Sequence, residues 1–395
     1  MTVSAIEQFQ REFAAKIGLS QAFSFWKGRV ALYAILKALG VGQGDEVILP
    51  GYTCVMDVNP IKYLGAKPVY IDIEPNTFNM NVDLMEKKIT PKTKVIIAQH
   101  TYGYVCDMDK ILRSAERHNV PVIEDCCLAF GSTYKGKTVG TFGKATYFSF
   151  QWNKPFTTGL GGMAITNDDV LAERIAQICQ SQLVQPSIKE KWLLLAQLMV
   201  YRAFIYPRTT PMAQSFFRFL TKKRVVVGSS SSCEFEPEME KDFFKAMSSV
   251  QAVAGIRQLK KLEKNMEHRR EMAEFYDELL LEKGWPTRNY DKEVMNPVMV
   301  RYPIRIKEKD KAIQQAASAG IELGTWFECP LHPIETPLEK YDYQIGMCPE
   351  AEKASREVVN LPLHPRATKK TVLRTVEFIT GFTRVVDCFG RPVRE

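Results

Sequence analysis

VIEDCCLAFGSTYKGKTVGTFGKATYFSFQWNKPFTTGLGGMAITND (122–168) is the stretch on which the reading of this chain turns. It contains three short apolar runs, VIED (122–125), ATYFSF (145–150) and GMAITN (162–167), separated by polar and glycine-rich residues. Runs of four to eight β-branched and aromatic residues bounded in this way predict buried strands. Asp125 closes the first run. Lys154 lies between Ser149 and the Gly159-Leu160-Gly161-Gly162 turn, an amine set in a loop that follows a strand.

Upstream the same rhythm continues. EVILP (46–50), KPVYIDI (67–73) and KVIIAQH (94–100) read as further buried strands. The amphipathic stretches GRVALYAILKALG (28–40), DLMEKKI (83–89) and MDKILRSAERHN (108–119) read as helices between them. Strands alternating with helices predict an α/β domain with a largely parallel sheet, whose ligands sit at the carboxyl ends of the strands.

Downstream the rhythm breaks at 186–235. WLLLAQLMVYRAFIY (192–206) is apolar, but it is short and contains Gln197 and Arg202, so it does not predict a membrane span. GSSSS (228–232) reads as a flexible link. From about residue 240 one long helix-like segment is expected. A smaller α/β region follows, with MVRYPIRI (299–306) as a strand and PEAEKASREVVNLPLHP (349–365) as helix then turn. The expected division is 1–260 for the large domain, carrying the 186–235 insertion, and 261–395 for the small C-terminal domain.

Bulk properties narrow the class. The 395 residues are 45% hydrophobic and 25% charged, without a repeat or low-complexity tract. Nine cysteines form no CxxC and no metal-ligand spacing, and their odd number suits reduced thiols in a cytoplasmic protein. The net charge of +8 does not point to nucleic acid, because eight bases and a single acid, Glu190, lie between Lys189 and Val225. The basicity belongs to one segment.

Three features then converge. Asp125 ends a buried strand, Gly28 opens a helix whose free N–H groups and dipole favour a phosphate, and Ser149 and Lys154 flank a strand-end loop. Each alone also reads as an ordinary strand-end cap, helix start or surface lysine. Together they suit pyridoxal phosphate (PLP). Its aldehyde takes an amine, its ring nitrogen holds a proton beside a buried carboxylate, and its phosphate takes amides and a hydroxyl where there is little bulk.

The chain also resembles the DegT/DnrJ/StrS family of PLP-dependent aminotransferases. The matching stretches are GDEVILPGYTCVMDVNPIKYLGAKPVYIDIEPNTFNMN (44–81), ITPKTKVIIAQHTYGYVCDMD (89–109), the run 122–168 and CPEAEKASREVVNLPLHP (348–365). The resemblance implies the type I PLP-dependent transferase fold, usually as a homodimer with sites at the subunit boundary. It implies Lys154 as the residue that joins the cofactor and moves the proton, and Asp125 as partner of the ring nitrogen. Ser149 and the amides of Gly28 and Arg29 would hold the phosphate. His332 would lie at the substrate mouth. The implied reaction takes an amino group from an amino acid, commonly glutamate, to a keto-sugar, nucleotide-linked or lipid-linked.

Four positions depart from the family pattern. Leu128 stands where a glutamine commonly bonds the cofactor's phenolic oxygen. Cys54 stands where an aromatic ring usually stacks. Phe244-Lys245-Ala246 replaces Asn-Tyr-Arg, and Arg29 replaces a small hydroxyl residue at the phosphate turn. Trp152 or Tyr52 is the expected substitute for stacking, and Arg29 for the lost phosphate contact. The departures leave two other readings open: a PLP enzyme of different chemistry, or a cofactor-binding scaffold without catalysis. The stretch 186–226 reads either as a lid or as a peripheral contact with the inner face of a membrane. His100 reads as a satisfied strand-end histidine.

Overall fold

The computed structural model describes residues 3–201 and 236–384. The first half carries strands β1 (Gln21–Phe25), β2 (Glu46–Pro50), β3 (Thr53–Cys54), β4 (Lys67–Ile71), β5 (Thr93–Gln99), β6 (Val122–Asp125), β7 (Thr133–Tyr134), β8 (Lys137–Thr138), β9 (Ala145–Ser149) and β10 (Gly162–Thr166). Seven of them form one sheet in the order β1-β10-β9-β6-β5-β2-β4. β4, β2, β5, β6 and β9 run parallel, whereas β10 is antiparallel to both β9 and β1. The edge strand β1 was not expected, because QAFSF is short and its neighbour in the sheet is 140 residues away in the chain.

Helices α1 (Ala5–Ile17), α2 (Gly28–Ala38), α3 (Val55–Tyr63), α4 (Val82–Lys87), α5 (Met108–Arg117) and α6 (Asp169–Gln182) intervene between or flank these strands. α2 is buried along nearly its whole length, and its aliphatic residues pack into the main core with β2, β5 and β9. The arrangement places the carboxyl ends of β5, β6 and β9, with Gln99, Asp125 and Ser149, on one edge of the sheet.

Two expectations for the second half are corrected. The segment from about 240 is not one helix. Ser248 caps a new helix by a reciprocal bond with Gln251, giving Ser249–Leu259, and the chain breaks at Lys261 before Leu262–Glu282. The break coincides with the expected domain division. Residues after the helix Pro349–Glu357 do not turn at once. Val358–Leu361 forms a strand antiparallel to Tyr302–Arg305, because two β-branched residues find a partner edge there.

Within the basic insertion, α7 (Ile188–Val200) is capped by Ser187 and Glu190. Its buried residues Leu194 and Leu198 pack with Trp26, Trp152, Leu160 and Ala254 in a satellite core. The rest of the insertion, 202–235, lies outside the described residues.

Candidate active site

A cavity opens at the carboxyl edge of the sheet, lined among others by Gly28, Arg29, Asp125, Ser149 and Lys154. They arrive from α2, β6, β9 and the loop after β9. Asp125 is the last residue of β6 and almost wholly buried; its Oδ1 accepts the N–H of Cys127 at 2.8 Å. Ser149 ends β9, and Lys154 lies in the loop beyond, its backbone N–H donating to the Gln151 carbonyl at 2.9 Å. Gly28 opens α2, whose N-cap Lys27 is extended and makes no side-chain bond to the helix. The first turn of α2 thus receives no bond from the side chain of its N-cap residue.

Glycine is required where β9, β10 and α2 meet. A Cβ on Gly28 would stand 2.6 Å from Ser149 Cβ, and one on Gly162 would stand 2.5 Å from Gly28 Cα. Gly159 holds φ +85°, a left-handed conformation that L side chains rarely adopt. These close approaches bring the N-terminus of α2 against Ser149 and create a cradle free of side chains.

The structure brings Cys54, Leu128 and His332 to the same cavity. β3 pairs in parallel with Leu331–His332, in a register that sets His332 opposite Cys54. Burial pushes the His332 imidazole down to about 4, against the weaker opposing charges of Glu328 and Glu335, so the ring is uncharged at neutral pH. Burial also pushes the Cys54 thiol up to about 11, with the Asp57 charge adding to it. Cys54 is thus an uncharged, compact wall residue.

Trp152 and Tyr52 do not line the cavity, and the expectation that either stacks there is corrected. Trp152 turns away into the satellite core and packs on Tyr201, ring centroids 4.8 Å apart. Tyr52 is buried with its hydroxyl 2.8 Å from that of Tyr102, and it accepts the N–H of Phe327. The aromatic ring beside the lysine is Trp326, whose centroid is 5.1 Å from Lys154 Nζ. Trp326 is held by the buried Tyr102 hydroxyl, which donates to its carbonyl, and by Asn360, which accepts its N–H at 2.9 Å.

Sequence reasoning also missed Asp57, a second carboxyl group in the cavity wall. Burial pushes it up to about 7, with the negative charge of Asp125 adding to the shift and Lys154 opposing it. The only signal in the sequence was an acid three residues past a strand-like PGYTC, and nothing local ties that acid to Asp125.

Lys245, at the departure Phe244-Lys245-Ala246, is occupied elsewhere. Its ammonium bonds Glu190 of the insertion and Asp242. Burial lowers its proton affinity, but the two acids outweigh that and the net direction is upward. His100 is satisfied internally: Nε2 lies 3.1 Å from Glu124 and Nδ1 accepts the N–H of Cys106.

The donor set fits PLP on the chain's own geometry. A bulk-free cradle joins helix amides to a hydroxyl, a buried strand-end carboxylate stands behind it, and an amine enters from the loop. Arg29 and Lys27 add positive charge at the cradle end.

The DegT/DnrJ/EryC1/StrS aminotransferase family matches residues 2–195 and 239–380. A GDP-perosamine synthase of Caulobacter vibrioides is 32% identical over 379 residues, covering 94% of this chain and 88% of that protein. Among solved structures, S. venezuelae DesV aligns with a TM-score of 0.74 at 25% identity, covering 98% of this chain and 91% of that one. Spr1654 from Streptococcus pneumoniae in its PLP form gives a TM-score of 0.74 at 24% identity, over 96% of this chain and 91% of that one, a likeness of fold.

Proposed function

The chain belongs to the DegT/DnrJ/EryC1/StrS aminotransferase family and is a PLP-dependent enzyme, and from that premise we propose that it moves an amino group from glutamate to the ketone of a nucleotide-linked sugar. The observation that carries this reading is the convergence of Lys154, Asp125, Ser149 and Gly28 on one cavity. The bound cofactor supplies an electron sink for the charge left when a carbon–hydrogen bond breaks.

The chain's residues do the rest. Lys154 Nζ takes the proton from the donor carbon and delivers it again, since it is the amine that enters the cavity from the loop after β9. Asp125 would partner the ring nitrogen and favour its protonated form. Ser149 and the first-turn amides of α2 would hold the phosphate, with the helix dipole adding to the attraction. Arg29 strengthens that end with a charge, in place of the neutral hydroxyl expected there. His332, uncharged, offers a hydrogen bond to an acceptor hydroxyl at the mouth, and Trp326 gives a flat wall for a sugar face.

The test is a half-reaction. Glutamate added to the PLP-loaded protein is expected to convert its visible absorption band and to release one equivalent of the corresponding 2-oxo acid. A band and a solution left unchanged by glutamate would overturn the assignment of donor and reaction.

A homodimer and a cytoplasmic setting form part of the same reading. A membrane contact is favoured by one observation. Ile188, Trp192 and Met199 are 74%, 65% and 57% exposed on α7, at spacings that share one helical face. Lys189 and Lys191 accompany them, and the one acid, Glu190, is paired with Lys245. Among the described residues no helix is long and apolar enough to cross a membrane. An exposed apolar stripe with bases beside it suits an anionic bilayer surface, at about 1 kcal/mol for each base. The protein is expected to sediment with vesicles containing anionic lipid and not with neutral ones, and Trp192→Ser is expected to weaken that binding several-fold. Equal failure with both vesicle types would remove the membrane reading and leave α7 as part of a lid or a subunit seam.

A further inference from the structure

The proposed reaction gives Asp57 no task, yet Asp57 shares a cavity wall with Asp125 and Lys154. It stands in the first turn of α3, after an N-cap, Cys54, that makes no side-chain bond to the helix. Both its oxygens are engaged by hydroxyls. Tyr147 donates to Oδ1 at 3.0 Å, and Oδ2 lies 3.3 Å from the Thr53 hydroxyl, whose one proton is shared with the Gln99 amide oxygen. Tyr147 is the register partner of Asp125 across the β6–β9 pair, so one tyrosine connects the corner that holds both acids.

Two carboxylates in one cavity wall repel, and the arrangement is relieved when one of them keeps a proton. The hydroxyls of Tyr147 and Thr53 oppose it, since hydrogen bonds to Asp57 favour its charged form, but burial and the Asp125 charge outweigh them. Burial holds the Cys54 and Cys127 thiols and the Tyr147 phenol in their protonated forms. Arg29, from α2, contacts Met56, the residue before Asp57. Lys154 is the cation whose charge opposes the shift at Asp57, while Asp125 reinforces it.

We propose that Asp57 is a proton-holding positioning residue of this site: it keeps a proton beside the Asp125 carboxylate, so that Lys154 faces one carboxylate charge instead of two. Burial and the Asp125 charge both act in this direction, placing the Asp57 titration at about 7. When Asp57 releases its proton to water, the nitrogen carried by Lys154 faces a second negative charge. A lysine nitrogen that keeps its proton cannot accept one from the donor carbon. Asp57 thereby sets the alkaline limit of the site. The catalytic consequence rests on the PLP reading given above, whereas the retained proton does not.

The experiment therefore has two arms. In the first, unfolding equilibria of the unliganded protein and of Asp57→Asn are compared by denaturant melts from pH 5 to 8.5. The folded titration lies above the unfolded one, so the wild-type advantage is greatest at low pH and declines as pH rises toward 7. The ratio of wild-type to variant unfolding constants is expected to climb close to tenfold per pH unit between roughly 5 and 7, and then to level off. In the second arm, the pH midpoint of the visible band of the PLP-loaded protein is expected to move down by a unit or more in Asp57→Asn, because a negative charge near the lysine nitrogen is gone.

A constant stability ratio together with superimposable midpoints would overturn the proposal. If the wild type gave no PLP band while the stability ratio climbed, the cofactor reading would fail and the retained proton would stand. Asp57→Ser, which keeps a hydroxyl for Tyr147, repeats both arms should the Asn variant fold poorly.

Discussion

Lys154→Ala is expected to lose roughly 10²–10⁴-fold or more of amino transfer, the range that a positioned acid–base group supplies by itself. The variant loses two things at once. It loses the amine that joins the cofactor and the nitrogen that carries the proton between donor carbon and acceptor. Among the described residues no other lysine is placed to replace it. Lys27 lies at the phosphate end of the same cavity. Lys309, which burial pushes down to about 8, is bound to the carbonyls of Ser355 and Phe327.

The measurements are steady-state transfer from glutamate and the visible spectrum of the protein with PLP. The band should disappear while the fold persists, because Lys154 is a loop residue whose amine packs on Trp326 and supports no core contact. An added small primary amine should restore part of the activity by supplying the missing base from solution. Retention of a tenth of wild-type turnover in the alanine variant would show that Lys154 is not the proton carrier.

The largest effect on stability is expected at Glu124, a residue the reaction does not use. Its side chain is fully buried beneath the cavity floor, one residue before Asp125. Oε1 accepts the backbone N–H groups of Phe142 and Gly143, each at 2.7 Å, and Oε2 accepts that of Gly140 at 2.7 Å. His100 completes the set at 3.1 Å. Glu124→Ala would leave one buried and two half-buried N–H groups and a buried imidazole without this partner, at about 1–3 kcal/mol for each group that cannot reach water. A loss of about 3–5 kcal/mol is expected by urea unfolding, enough to leave a protein of ordinary stability marginal. Glu124→Gln keeps an acceptor for part of the set and should lose about half as much. An alanine variant less than about 1 kcal/mol weaker would mean that water enters and replaces the carboxyl group.

Glu124 also shows where local reading stops. VIED predicts a buried strand, and an acid in the middle of it looks like a local conflict. The conflict is resolved only by the loop at 140–143, which wraps back over the strand end and presents its amides. His100 was legible as a satisfied strand-end histidine, but its partner was not.

The helix-like pattern from 240 to 283 overstated continuity for a similar reason. Ser248 and Gln251 favour a cap at a point where apolar periodicity alone runs on, and the packing of Ala252 and Ala254 against other elements fixes the start. Val358–Leu361 reads as a turn next to LPLHP until the strand Tyr302–Arg305 is placed beside it.

By itself the sequence determined the alternation of strands and helices, the strand ends at Asp125 and Ser149, the helix start at Gly28 and the loop that carries Lys154. These depend on periodicity, turn residues and chain order within about 140 residues, which local chemistry encodes. Tertiary structure alone decided that Trp326 and not Trp152 lies beside Lys154, that His332 stands opposite Cys54, and that Asp57 shares a corner with Asp125. Each of those is a distance between elements far apart in the chain. Such distances follow from strand register, helix placement and which faces pack together, and a one-residue slip of Leu331–His332 along β3 would move His332 away from Cys54.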